Sequence, residues 1–175
     1  MWLYGFYVAP EGVAVPYAEQ LGGGPGAVGL LMAADPVGAG IGAVVLTRWA
    51  RPAVRAWLLG PLAVLAGVPL VLSALRPSVA SVIVLWAASG FLSTHVVLAI
   101  AEFIPAVPDH RRGQAVGLLG AGLQAAQGLG ILLAGVLVGP VAPSTSVALC
   151  GGAGTVCAVL VGRSWRRQIE LRPRL

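Results

Sequence analysis

The hydrophobic residues of this chain gather into six long apolar segments, and short polar connections separate the segments. A helix needs about 20 apolar residues to cross the hydrocarbon core of a bilayer, and each segment has about that length. The segments cover residues 2–20, 27–47, 57–75, 79–104, 115–138 and 146–162. The connections hold Gly and Pro, which stop helices, as in residues 22–25 and 139–143. The pattern predicts an all-α integral membrane protein with six transmembrane helices.

Arginine residues mark one side of the predicted membrane domain. Ten of the eleven positive side chains fall in every second connection or in the C-terminal stretch, and Arg76 is the exception. The three groups are Arg48, Arg51 and Arg55; Arg111 and Arg112; and Arg163, Arg166, Arg167, Arg172 and Arg174. Cytoplasmic loops of membrane proteins carry such an excess of arginine. We therefore predict a six-span domain over residues 1–162, a basic cytoplasmic tail over residues 163–175, and both termini in the cytoplasm, with Arg76 outside.

Strongly polar side chains occur in four of the six predicted spans. A charged group in hydrocarbon costs about 2.5–3.5 kcal/mol on insertion scales, so it should face the protein interior or a water-filled cavity. The first, second, fourth and fifth spans contain Glu11, Asp35, His95, Glu102, Gln124 and Gln127. The third and sixth contain nothing stronger than Ser73 and Thr155, so we expect them to face lipid. Two spans with strongly polar side chains are followed by one without, and the same order then occurs again. This order predicts a 3+3 internal repeat.

Helical spacing places small and polar residues on shared faces. Tyr4, Tyr7 and Glu11 lie at positions i, i+3 and i+7, which form one face of a helix. The fifth span has a seam of small and polar residues and the second has a shorter stripe, and such residues let helix backbones approach closely. The seam is Gly113, Gly117, Gly120, Gln124, Gln127 and Gly128, and the stripe is Asp35, Gly38 and Gly42.

Prolines inside the predicted spans should kink or loosen the helices, because a proline lacks the N–H that would bond the preceding turn. These residues are Pro10, Pro16, Pro36, Pro61 and Pro69. We therefore expect irregular helices in the first three spans.

Composition excludes a water-soluble domain. Hydrophobic residues make up 58% of the chain and charged residues 10%, with a mean hydropathy of +0.90, whereas soluble domains carry roughly a quarter charged residues. The net charge of +5 does not indicate nucleic-acid binding, because the arginines lie in loops between apolar spans. Cys150 and Cys157 lie two turns apart on one predicted helix, about 10.5 Å along its axis, which is too far for a disulfide.

The sequence offers no enzyme motif. It has no glycine-rich phosphate loop, no cysteines at metal-ligand spacing and no His-x-x-x-His pair. Ser93 and His95 could suggest an intramembrane protease, but two residues apart on a helix they point in different directions. We therefore predict a protein that is not an enzyme and has neither a cofactor nor a metal site.

Four titratable residues are candidates for proton coupling, and each has a structural alternative. Glu11, in a partly dry cavity that disfavours charge, suits exchange of a proton against a cationic or polar substrate. Alternatively, it bonds a neighbouring helix, or it is a surface carboxyl if the span boundaries differ. Asp35 is a second candidate, but it precedes Pro36 and could bond backbone groups that the proline leaves free. His95 and Glu102 lie seven positions apart on one helix face, so they could relay a proton. Alternatively, His95 is a hydrogen-bond partner between helices and Glu102 is a solvated residue.

Tyr4, Tyr7, Gln124 and Gln127 are candidates for lining a substrate cavity. The two phenols could stack on an aromatic or cationic substrate, or they anchor the helix at the membrane interface. The two amides could contact substrate or bond between helices. The arginines of the second connection are topology signals that could also pair with lipid phosphates or with a partner.

Several stretches carry a family resemblance. They are Pro10-Glu11-Gly12 through Pro16-Tyr17, Ala34 through Gly38, the turn from Gly42 to Arg55, and the run from Arg112 to Gly130. With them the chain resembles the C-terminal six-helix half of a major facilitator superfamily transporter, in particular the bacterial drug-efflux-like permeases. The resemblance implies half of the major facilitator fold in the bacterial inner membrane, and proton-coupled efflux of a small amphiphilic molecule. The family's loop motif after its second helix carries an acidic residue that this turn lacks, which weakens the case for gating there.

The length of the chain departs from the family's working unit of about twelve spans, in which the substrate lies between two six-helix halves. This chain begins at Met1 inside its first predicted span and supplies one half. We therefore expect a truncated reading frame, a fragment, or half of a split or dimeric transporter. Its partner would be a second six-helix half, either a separate chain or the other subunit of a homodimer. The alternative is a non-transporting remnant or an accessory membrane protein.

Overall fold

The computed structural model describes residues 2–75 and 78–170, and the regular elements within these ranges are helices. They are α1 (Trp2–Val8), a 3-10 segment (Ala9–Val13), α2 (Ala14–Gln20), α3 (Pro25–Trp49), α4 (Pro52–Leu65), α5 (Gly67–Ser73), α6 (Val79–Ser93), α7 (His95–Phe103), α8 (Arg112–Leu137) and α9 (Pro143–Glu170). Short 3-10 turns at Ile104–Ala106 and Asp109–Arg111 join α7 to α8. The all-α class is confirmed for these residues.

Four stretches of helix are long and apolar enough to cross a membrane. They are Pro25–Trp49, Val79–Ala106, Asp109–Leu137 and Pro143–Ser164. The apolar helix Trp57–Ser73 is shorter, and the first segment is divided by its 3-10 turn into two helices of seven residues each. The chain is therefore a multi-pass membrane protein, and six spans remain a prediction. Arg76, Arg172 and Arg174 lie outside the described residues, whereas the predicted basic tail is helical as far as Glu170.

Prolines break two of the helical segments. Pro10 lies in the 3-10 segment that follows α1, and Pro69 lies four residues after Leu65, where α4 ends. A proline lacks the N–H that would bond the carbonyl four residues earlier, and its ring crowds that carbonyl. The expectation of irregular helices is confirmed at these two places. Pro36 and Pro61 lie inside the continuous helices α3 and α4, where a kink stays a prediction.

Hydroxyl groups from neighbouring helices bond the carbonyls at the break between α4 and α5. The Tyr7 hydroxyl donates to the Ala63 carbonyl oxygen at 2.6 Å, and the Ser89 hydroxyl donates to that of Ala66 at 2.8 Å. The Thr155 hydroxyl donates to the Val64 carbonyl oxygen at 3.2 Å. The last carbonyls of a helix have no partner within it, and an unpaired one is costly in an apolar interior. The break is therefore stabilised by three different helices.

The backbones of α3 and α6 touch along the predicted glycine stripe. A Cβ atom at Gly38 would overlap the backbone of Ala87, and one at Gly90 would overlap the backbone of Asp35. Gly42 is equally crowded, one turn further along α3. Only glycine leaves room for such an approach between helices. The predicted role of the stripe is confirmed for Gly38 and Gly42.

The first segment packs on the last two long helices. Gly5 of α1 and Gly130 of α8 meet so closely that a Cβ on Gly130 would overlap the backbone of Gly5. At the other end of the segment, the Ser144 backbone N–H donates to the Gln20 Oε1 at 3.0 Å, and the Gln20 amide donates to the Ser144 hydroxyl at 3.3 Å. This side chain thus bonds one of the free N–H groups in the first turn of α9.

The predicted seam of α8 does not take part in this packing. No atom lies within 4 Å of a Cβ built on Gly113, Gly117, Gly120 or Gly128. The close approach on α8 is instead made by Gly130, on another face of the helix. The expectation that the seam packs against another helix is therefore wrong at its glycines within the described residues, whereas the Gln127 side chain contacts Tyr4 of α1.

The helices pack on one another in pairs. The helix α3 packs on α6, α1 packs on α8, and α5 packs on α9. In addition, α4 packs on α7 and α1 packs on α9. Between these pairs lies a core that includes Tyr17 and Trp86, whose ring centroids are 5.7 Å apart. The first predicted span therefore contacts the fifth and sixth, and the fourth predicted span contacts the second and third.

The turn between α3 and α4 is held by one of its arginines. The Arg55 Nε donates to the Ala50 carbonyl oxygen at 2.8 Å, and its Nη2 donates to the Thr47 carbonyl oxygen at 2.5 Å. Both acceptors lie at the C-terminal end of α3, where carbonyls lack helical partners and a positive charge is favourable. Arg48 and Arg51 are exposed. Arg55 is therefore a structural cap as well as a topology signal.

We expect Arg55→Met to lower the free energy of unfolding by about 1 kcal/mol, because it removes two hydrogen bonds and keeps most of the side-chain length. Arg48→Met is the matched control, since Arg48 is exposed on the same turn and should change stability little. The measurement is unfolding in mixed detergent and dodecyl sulfate micelles, followed by helical circular dichroism. Equal losses in the two variants would contradict the capping role.

Candidate functional site

Four of the candidate residues come together from four elements of the fold. The Tyr4 phenol of α1 lies against the Gln127 side chain of α8 and within electrostatic range of Asp35 and Glu11. The Glu11 carboxyl, in the 3-10 segment, also acts on Asp35 of α3. Two carboxyl groups, a phenol and an amide thus form one polar cluster, which we call the carboxyl cluster.

The packing of the helices determines how the carboxyl cluster is buried. Asp35 is 7% exposed, because α3 lies directly on α6 at the neighbouring Gly38 and Gly90. Glu11, Tyr4 and Gln127 are half-buried. Charge in such surroundings is costly unless another group compensates it. The cluster can therefore hold a proton or a cationic group close to its carboxyls, and it remains accessible from the Glu11 side.

His95 and Tyr7 form a separate pair in the core. Tyr7 is 1% exposed, and its ring edge meets the His95 ring with the centroids 6.2 Å apart. The His95 Nδ1 lies 3.1 Å from the Leu92 carbonyl oxygen, in the turn before α7. Since the Tyr7 hydroxyl is bonded to the backbone of α4, this phenol holds helices together.

The other candidates lie on the surface of the described structure. Glu102 is exposed on α7, two turns beyond the buried His95, and Gln124 is exposed on α8. A relay between His95 and Glu102 stays a prediction. Among residues 2–75 and 78–170, no three His, Cys, Asp or Glu side chains gather as metal ligands would. The two thiols, Cys150 and Cys157, are both free on α9.

Nearly the whole chain matches one known protein family. The sequence model of the Major Facilitator Superfamily matches residues 3–173, which is almost the whole chain. The chain belongs to the major facilitator superfamily. No curated protein and no solved structure matches it. Members of this superfamily are membrane transporters, so the carboxyl cluster lies within a fold whose established role is transport, and enzyme chemistry is not expected of it.

Sequence reasoning did not group the members of this major facilitator site. It placed Tyr4, Tyr7 and Glu11 on one face by helical spacing, but Tyr7 packs against His95 in the core. Asp35 and Gln127 lie on other helices, and spacing relates only residues of one helix. In the structure, close contacts at Gly5 with Gly130 and at Gly38 with Gly90 mark which helices touch. The sequence contains these glycines but does not show which of them pair.

Proposed function

We propose that this major facilitator chain is the C-terminal six-helix half of a proton-coupled transporter that exports a small amphiphilic molecule. The observation that carries the proposal is the carboxyl cluster, in which Glu11 and Asp35 share one site with Tyr4 and Gln127. A carboxyl group in the membrane interior is a functional candidate, because keeping it there is costly. Glu11 and Asp35 exchange a proton against the substrate, while the phenol and the amide contact it.

The scheme of helix pairs supports a 3+3 repeat. If the first three predicted spans are exchanged with the last three, the pair α3–α6 becomes the pair α8–α1, and α4–α7 becomes α9–α1. The pair α5–α9 becomes itself. All of these pairs are present, so they obey the exchange that two related halves of a repeat would show, whereas α2–α3 and α8–α9 have no counterpart of similar extent.

The seam of α8 supports a second six-helix half, supplied by a separate chain or by a homodimer. Gly117, Gly120, Gln124 and Gly128 are exposed, and small and polar residues in a membrane helix usually pack on another helix. On this proposal, the chain lies in the bacterial inner membrane with both termini in the cytoplasm. The exposed Arg48 and Arg51 then face anionic lipid or the second half.

The unpartnered seam also supports a second candidate function, a non-transporting remnant or accessory membrane protein. In that case nothing covers the seam, and Gly117, Gly120 and Gln124 face lipid. Both candidates share the same helices, so helix mapping does not separate them. They differ in oligomeric state and in transport.

The deciding experiment reconstitutes the chain in lipid vesicles, alone and with any six-helix half encoded in the adjoining DNA, and imposes a pH gradient. Ethidium, read by fluorescence on nucleic acid trapped in the vesicles, is the test substrate. We expect ethidium movement that depends on the gradient and an assembly of two six-helix halves. A monomer that moves no ethidium in either preparation would instead support the remnant or accessory protein.

A further inference from the structure

A groove of about 280 Å³ lies between α1, α7 and α8, apart from the carboxyl cluster. Its walls are apolar except for His95. The apolar lining residues are Leu3, Val96, Ala99, Ile100, Phe103 and Leu119. No charged side chain lines the groove, so it suits an uncharged ligand. Its volume lies just below the range of about 300–1,000 Å³ that is usual for small-molecule sites, so it suits a small ligand of one or two fused rings.

His95 offers this groove a single hydrogen-bond acceptor. The Leu92 carbonyl oxygen can only accept, so the His95 Nδ1 donates to it across 3.1 Å. In a neutral imidazole whose Nδ1 carries the proton, the Nε2 is an acceptor. His95 is 8% exposed, and its Nε2 has no hydrogen-bond partner among the described residues. His95 lines the groove, so an Nε2 without a protein partner can accept a hydrogen bond from a ligand that binds there.

The surroundings of His95 hold the ring in place. The bond from Nδ1 fixes one edge of the ring, and the edge of Tyr7 packs against it with the centroids 6.2 Å apart. Tyr7 is itself fixed by its bond to the Ala63 carbonyl oxygen. A preorganised acceptor gives more selectivity than a mobile one, because less freedom is lost on binding.

We propose that this groove binds small uncharged aromatic molecules that carry one N–H or O–H donor, with the donor on the His95 Nε2 and the ring among the apolar side chains. The proposal concerns binding, and it does not need the chain to transport the same molecule. A failure to move ethidium would therefore leave it standing, and a failure to bind would leave the transport proposal standing.

The test uses two probes of nearly the same shape, 5-fluoroindole and 5-fluorobenzofuran, which differ in the N–H donor. Their binding to the full chain in lipid nanodiscs is measured by fluorine NMR, with empty nanodiscs as the correction for partition into lipid. We expect 5-fluoroindole to bind about threefold to tenfold more tightly, as one net hydrogen bond implies. Equal affinities for the two probes would overturn the proposal.

Three variants locate the site. His95→Phe should remove the preference for 5-fluoroindole, and His95→Gln, which keeps an acceptor, should retain part of it. Ala99→Phe should weaken the binding of both probes at least tenfold, because the new ring fills the groove from an exposed position and leaves the core untouched. If Ala99→Phe binds both probes as the unchanged chain does, the groove is not the site. Should either His95 variant lose its helical circular dichroism, the probe pair and Ala99→Phe still decide.

Discussion

Glu11→Gln is expected to abolish proton-driven transport in the complete assembly while leaving membrane insertion intact. Glutamine has nearly the shape of glutamic acid and keeps hydrogen-bonding groups, but its amide cannot take up or release a proton near neutral pH. If Glu11 exchanges the proton in the carboxyl cluster, gradient-dependent ethidium movement should fall to the level of empty vesicles. Insertion is checked by the yield of protein in the membrane fraction and by circular dichroism.

The matched control for this prediction is Glu19→Gln. Glu19 is exposed on α2, in the same predicted span, and should not affect transport. Asp35→Asn should cause a loss similar to that of Glu11→Gln, and the double variant should be little worse than either, because residues that act as a unit are not additive. Unchanged transport with unchanged pH dependence in Glu11→Gln would remove Glu11 from the mechanism.

Gly38→Ala is expected to lower the free energy of unfolding by about 1–3 kcal/mol or more. The added methyl would overlap the backbone of Ala87, and a backbone cannot turn away as a side chain can, so α3 and α6 must separate. The control is Gly40→Ala on the same helix, where the methyl meets open space. That change should raise stability by up to about 1 kcal/mol, because alanine favours helix more than glycine does.

The same experiment includes Gly90→Ala, which forces the same two helices apart from the other side. The loss in the double variant, Gly38→Ala with Gly90→Ala, should be smaller than the sum of the two single losses, because the first methyl already separates the backbones. Unfolding in mixed micelles gives all four values. Changes of the same sign and size at Gly38 and Gly40 would contradict the close packing of α3 on α6.

The sequence predicts local features of this fold better than it predicts contacts between helices. Hydrophobic runs predict helices and the stripe at Gly38 predicts close packing, because both depend on neighbours along one helix. Pro36 and Pro69 both lie in predicted spans, but only the segment at Pro69 is divided into two helices, and the sequence does not distinguish the two cases because neighbouring helices can compensate for a lost bond. Tyr7, a candidate for lining a cavity or anchoring the interface, bonds the Ala63 carbonyl oxygen of another helix, and the spacing of residues in the first segment does not record that contact.

The seam of α8 and the carboxyl cluster show the same limit. Spacing alone gave Gly117 and Gly120 the role that the structure gives to Gly130, because several faces of α8 are rich in glycine and alanine. The association of Asp35 with Glu11 depends on how α3 lies relative to the first segment, which no pattern within either helix records. Pairing between helices is therefore the information that the structure adds.

The interruption of the first segment affects how the protein inserts into the membrane during synthesis. It is not among the four stretches that are long and apolar enough to span a membrane unaided, and its close partners are α8 and α9. Gln20 bonds Ser144, 124 positions later in the chain. During synthesis the ribosome therefore delivers this segment before its partners. We expect the segment to wait beside the insertion machinery, with Glu11 unburied, until α8 and α9 arrive to bury it.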